Sequence, residues 1–154
     1  MYKNVLVAVD GSKLSEEAFQ MGLFIAQKMG AKLYVLNVIL DYYAYNLGTL
    51  AGDAIHQIID IRGENARNIL KNLEEKYQEE YDFEGHIRMG DPAREILDFA
   101  EDKEIDLIVM GNKGLGAFSK TLLGSVSNKV VNKFKGSVFV YKKRKKGEEE
   151  DIDD

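Results

Sequence analysis

The chain has 154 residues, 45% hydrophobic and 31% charged, with a formal net charge of −5, no cysteine and two histidines. That length suits one well-buried core and is short for two, while the missing cysteines exclude disulfides and thiolate metal sites. No stretch approaches the roughly 18 consecutive apolar residues that cross a bilayer, and the N-terminus lacks a leader's basic region, apolar stretch and cleavage site, so a soluble cytoplasmic protein is expected.

Asn4-Val-Leu-Val-Ala-Val-Asp10 is an almost continuous apolar run, the pattern of a parallel strand covered on both faces. After Gly11-Ser12, the spacing of Leu14, Ala18, Met21, Ile25 and Met29 predicts a helix with that inner face, acidic at its start and ended by Gly30. Lys32 to Ile39 predicts a second strand. Residues 41 to 52 carry three tyrosines and two glycines without a period. They read as a crossover loop, or as a lid offering tyrosine for stacking on a base.

A second helix is predicted from about Asp53 to Glu80, with Ile55, Ile59, Ala66, Ile69, Leu73 and Tyr77 inward. Phe83 to Arg88 is a weaker strand, expected at a sheet edge. Gly90-Asp91-Pro92 starts the third helix, because Asp can cap and Pro suits the first helical position; Ile96, Leu97 and Ala100 face inward. Leu107 to Met110 gives a fourth strand. Leu123, Val126, Val130, Val131 and Phe134 mark a fourth helix, and Ser137 to Tyr141 closes with a fifth strand. His56 and His86 are too scattered for a zinc centre without unusual carboxylate help, and read as structural residues.

The basic run Lys142 to Lys146 stands directly before residues 148 to 154, which hold six acidic groups; without those residues the net charge becomes +1. The run could be a patch for nucleic acid or anionic lipid, but its neighbour favours a terminus that neutralises itself, so neither partner is expected. One domain over residues 1–142 and a disordered tail over 143–154 follow.

Strands alternating with helices at this spacing call for a three-layer α/β sandwich: an open parallel sheet with helices on both faces. Ligands of such sheets bind beyond the carboxyl ends of the strands, where the strand order reverses. From Gly111 to Ser125 the chain reads GNKGLGAFSKTLLGS, a glycine-dense loop between strand and helix that exposes backbone N–H groups and favours phosphate. It is not a Walker loop, since Ala117 and Phe118 stand where Lys and Ser or Thr must follow Gly116. Nor is it a dinucleotide fingerprint, since Ser119 replaces the third glycine. If the first and fourth strands are neighbours at the reversal, Asp10 faces this loop across one crevice.

Val7-Ala-Val-Asp-Gly-Ser12, Gly90-Asp-Pro92, Met110-Gly-Asn-Lys-Gly114 and Gly124-Ser-Val126 together resemble the universal stress protein family, over about Tyr2 to Lys142, with the glycine spacing of its ATP-binding branch. The resemblance implies five parallel strands in the order 3-2-1-4-5, a cytoplasmic homodimer formed through the strand Ser137 to Tyr141, and ATP as ligand. Carried over by position, it implies Asp10 near the ribose and phosphates, and as a Mg²⁺ contact through them. It implies the backbone of Val38 at the adenine, Gly111, Asn112, Lys113 and Gly114 against the ribose and α-phosphate, and Gly124, Ser125 and Val126 as a second phosphate contact. Gly116, Ala117 and Phe118 add a glycine and an aromatic to the loop interior, which is expected to be mobile without ligand.

The leading expectation is a nucleotide-dependent regulatory or stress-response protein acting on an unknown protein partner, with at most slow ATP hydrolysis. A nucleotide-cleaving or adenylyl-transferring enzyme is the first alternative, although its usual Ser-Gly-Gly or His signature is absent after the first strand. A dimeric interaction module without a nucleotide role is the second.

Overall fold

The computed structural model describes residues 1–40, 52–114 and 122–143. The tyrosine-containing segment 41–51, the loop interior with Gly116, Ala117 and Phe118, residues 144–154 and the side chain of Ile55 lie outside the described residues. Nine elements alternate along the chain: β1 (Asn4–Ala8), α1 (Lys13–Met29), β2 (Lys32–Leu40), α2 (Gly52–Tyr77), β3 (Phe83–Gly90), α3 (Pro92–Asp102), β4 (Leu107–Gly111), α4 (Ser125–Lys133) and β5 (Ser137–Tyr141). All pairings are parallel and the sheet order is β3-β2-β1-β4-β5, with β3 and β5 at the edges as expected.

The continuous apolar runs have a direct cause. Alternate residues of each central strand enter opposite core layers. Val5 and Val7, Leu33 and Val35, and Leu107 and Val109 join Phe19, Leu23, Leu70, Leu73 and Phe83 beneath α1 and α2. Leu6, Leu36, Ile108 and Met110 join Ile96, Phe99 and Val130 beneath α3 and α4. Phe19 is fully buried, its ring 5.2 Å from those of both Tyr77 and Phe83.

The inner face of α1 is rotated by about one residue from the predicted one: Ser15, Ala18, Phe19, Gly22, Leu23 and Ala26 are buried, whereas Met29 is exposed. Close approach decides it. A Cβ on Gly22 would stand 2.3 Å from Val7 Cγ2, so the small residues, not the methionines, face the sheet. In α2 the core contact comes from Ala66, Leu70 and Leu73, with Leu70 added to the predicted face, and the helix stops at Tyr77, short of Glu80. In α3, Phe99 replaces the half-buried Leu97 on the inner face. α4 starts at Ser125, so Leu123 precedes the helix, and Val131 points outward.

The helix starts are specified locally. Ser12 caps α1 by accepting the Ser15 N–H at 3.1 Å, and Asp91 caps α3 by accepting the Arg94 N–H at 3.0 Å, with Pro92 in the first turn as predicted. No described helix is long and apolar enough to cross a membrane.

Candidate functional site

The sheet order puts the reversal between β1 and β4, which pair over Val5↔Leu107 to Val7↔Val109. At their carboxyl ends a cavity of about 470 Å³ opens between the end of β2 and the start of α3 on one side, and the end of β4 and the start of α4 on the other. Eight of the nine sequence-selected residues line it: Asp10, Val38, Gly111, Lys113, Gly114, Gly124, Ser125 and Val126. Asn112 does not. Its side chain is buried and turned into the wall, where Nδ2 donates to the Leu122 carbonyl at 3.0 Å.

The two walls differ chemically. Leu36, Val38, Leu40, Pro92 and Ile96 form an apolar slot. It exists because β2 outruns β1: the last β1–β2 register pair is Ala8↔Leu36, and β2 continues to Leu40. The opposite wall is peptide and glycine. There Gly124 is the N-cap of α4 but has no side chain to accept the first-turn N–H groups, unlike Ser12 on α1 and Asp91 on α3. A helix start left open in this way carries partial positive charge towards the cavity that Ser125, Val126 and Ser127 line.

Asp10 stands between these walls. Its Oδ1 accepts the Ser12 N–H at 2.9 Å, and its own N–H donates to Ser15 Oγ at 3.2 Å. The turn needs Gly11, whose φ is +86° and whose added Cβ would lie 2.8 Å from Ile69 Cδ1. On the other side a Cβ on Gly114 would come within 3.1 Å of Asp10 Oδ2, so this glycine lets the loop pass close to the carboxylate. Among the described residues no cluster of three or more His, Asp or Glu could hold a metal ion. A cation at Asp10 would need oxygens from the ligand, the arrangement Mg²⁺ takes with phosphates.

Sequence reading missed Ser15, Asn37 and Ser127, which share one property with Asn112. Among the described residues the buried polar side chains are Ser15, Asn37, Asn112 and Ser127, and all four belong to this crevice or its walls. Ser127 Oγ donates to the Asn112 carbonyl at 2.8 Å, and that carbonyl also accepts the Gly124 N–H at 2.6 Å. Asn37 was detectable in principle, as the one polar residue inside the run Leu33 to Leu40.

A family model for the universal stress protein family matches residues 1–142. Universal stress protein MJ0531 of Methanocaldococcus jannaschii is 36% identical over 148 residues, covering 95% of this chain and 85% of the relative. Universal stress protein UspA from Lactobacillus plantarum superimposes with a TM-score of 0.81 at 26% identity, over 92% of this chain and 98% of that one. A universal stress protein solved in complex with cAMP gives a TM-score of 0.70 at 25% identity, over 93% and 99% of the two chains. With the family model spanning every described strand and helix, and a relative more than one-third identical over nearly the full length, the chain belongs to the universal stress protein family.

Proposed function

We propose that this chain binds an adenine nucleotide, ATP, in the cavity at the strand reversal and acts as a nucleotide-dependent regulatory protein. The observation that carries the reading is the pairing, in one cavity, of an apolar slot with the side-chain-uncapped start of α4. The slot suits a base, with the backbone of Val38 beside it; the peptide wall of Gly111, Lys113, Gly114, Gly124, Ser125 and Val126 suits the ribose and phosphates. The relative solved with cAMP supports an adenine nucleotide as the ligand class. Among the described residues the cavity's ionisable side chains are Asp10 and Lys113. Asp10 with the phosphates would hold Mg²⁺, and Lys113 would meet phosphate charge. That is a binding set, and it favours retention of ATP with at most slow hydrolysis, since fast phosphoryl transfer needs further groups that orient water and stabilise the transferred phosphoryl.

A second copy of the chain is the proposed partner at β5. This edge strand leaves Phe139 exposed, and an apolar edge is blunted by pairing. The dimer would act in the cytoplasm, and ATP occupancy would alter the surface offered to a further protein. Binding of labelled ATP to the wild type and to Gly124→Trp tests the site. Trp should block the approach of the phosphates, and unchanged tight binding by the variant overturns the assignment. Sedimentation at micromolar concentration tests the dimer, which a monomer would refute.

A further inference from the structure

Asn37 and Asn112 occupy equivalent positions on opposite walls of the cavity. Each is 6% exposed, and each is flanked on both sides by residues that line the cavity, Leu36 and Val38 in one case, Gly111 and Lys113 in the other. Neither lines the cavity itself. Each instead spends its amide on a backbone carbonyl of another segment. Asn37 Nδ2 donates to the Val9 carbonyl at 2.8 Å, and Asn112 Nδ2 donates to the Leu122 carbonyl at 3.0 Å.

The chemistry of the two bonds follows from how the crevice is opened. Val9 N–H still donates to the Leu36 carbonyl at 2.9 Å, the last backbone bond between the two strands. The next rung of a parallel ladder would bring a β2 backbone N–H to the Val9 carbonyl and close the sheet where the apolar slot lies. The Asn37 amide takes that acceptor instead, so β2 can leave β1 without stranding a buried carbonyl. On the other wall the chain returns from the glycine loop at Leu122, and the Asn112 side chain fixes that return. The Asn112 carbonyl accepts Gly124 N–H and Ser127 Oγ, and its N–H donates to the Tyr141 carbonyl at 2.9 Å. One residue thus joins the end of β4, the end of β5 and the start of α4.

We infer that Asn37 and Asn112 are paired positioning residues that hold the two walls in ligand-ready geometry, Asn37 the base wall and Asn112 the phosphate wall. The inference rests on the adenine-nucleotide reading and adds to it a division of labour that a merely structural role would not produce. Asn37→Ala should weaken every adenine ligand by the same factor, because the base is common to all. Asn112→Ala should weaken ATP and spare adenosine, because only phosphates meet the start of α4.

The test is calorimetric titration of ATP and competition by adenosine against a fluorescent ATP analogue, on the wild type and both variants. Loss of one buried amide bond predicts about tenfold weaker binding of both ligands to Asn37→Ala, and about tenfold weaker ATP with little change in adenosine for Asn112→Ala. Asn37→Ser and Asn112→Ser, whose shorter hydroxyls cannot span to the same carbonyls, are to show the same split, and replace the alanine variants if those fail to fold. Wild-type binding with equal losses for both ligands in both variants, or with no losses, overturns this inference alone. No binding of either ligand to the wild type overturns the nucleotide reading and this inference with it.

Discussion

In the proposed site Gly124 sets stability against phosphate binding, and one substitution can measure both. Its φ of −69° and ψ of 172° are those of an N-cap residue, and a Cβ added there would meet the Asn112 carbonyl oxygen and Lys113 Cα at 3.4 Å, ordinary contacts. Nothing in the backbone therefore forbids the kind of cap that Ser12 and Asp91 provide elsewhere in the chain. Gly124→Asp should satisfy a first-turn N–H and complement the helix dipole, raising the stability of the ligand-free protein by about 0.5 kcal/mol. The same carboxylate would occupy N–H groups assigned to phosphate and repel it. Like charges 4 Å apart repel by about 4 kcal/mol at the effective dielectric of a protein surface. Halving that for exposure to solvent leaves about 2 kcal/mol, an approximately 30-fold weaker Kd for ATP.

Urea unfolding without ligand and calorimetric titration with ATP and adenosine measure both sides. Adenosine, lacking phosphates, should bind both proteins alike, and Gly124→Ser, which caps without charge, should lose less ATP affinity than Gly124→Asp. Unchanged ATP affinity in Gly124→Asp would show that phosphate does not approach α4. A ligand-free variant less stable than the wild type by more than about 1 kcal/mol would refute the capping geometry.

Three further outcomes are expected. Gly11→Ala should cost about 1–2 kcal/mol for its left-handed backbone and more for displacing Ile69, whereas Gly30→Ala, at φ +62° with nothing within 4 Å of the added Cβ, should cost the backbone part alone; equal urea midpoints would refute the Ile69 contact. Asn4 and Lys3 N–H groups donate to Asp106 Oδ2 at 2.8 and 2.7 Å and hold its carboxyl below the usual range. The stability it gives is therefore present above the unfolded pKa near 4 and lost as pH falls through the lower folded value, so Asp106→Asn should cost about 1 kcal/mol at pH 7 and flatten the acid limb of stability against pH; an unchanged slope refutes this. Phe19→Ala, at a fully buried ring, should cost about 3–5 kcal/mol by urea unfolding, and a loss below about 1 kcal/mol would show that the cavity collapses.

Much of the architecture was legible because its signals are local. The runs at β1, β2 and β4 read as doubly covered strands, and Asp91-Pro92 read as a helix start, since each pattern depends on neighbours in sequence. The face of α1 differs from its sequence pattern because close approach at Gly22 sets the helix rotation, bringing Phe19 and Leu23 inward and leaving Met29 exposed. In this helix the backbone comes closest to the sheet at Gly22, and Phe24, 53% exposed, lies outside. Closeness of approach is a property of two elements at once, and one element's sequence does not carry it.

The site divides along the same line. Glycines and Asp10 stand out because loop chemistry marks them, and Asp10, Gly111, Gly114 and Gly124 line one cavity. Ser15, Asn37 and Ser127 behind them were missed because their side chains bond backbone carbonyls, where side-chain type alone suggests little. Yet a parallel sheet that opens a crevice must end a ladder early, and each carbonyl left behind needs a donor that is not another strand. Asn37 meets that need at Val9, and Ser127 and Asn112 tie the opposite wall. In a core otherwise built from Val, Leu, Ile, Phe, Ala, Met110 and Tyr34, a buried polar side chain therefore marks where the sheet has been parted, and here every described one stands at the same crevice.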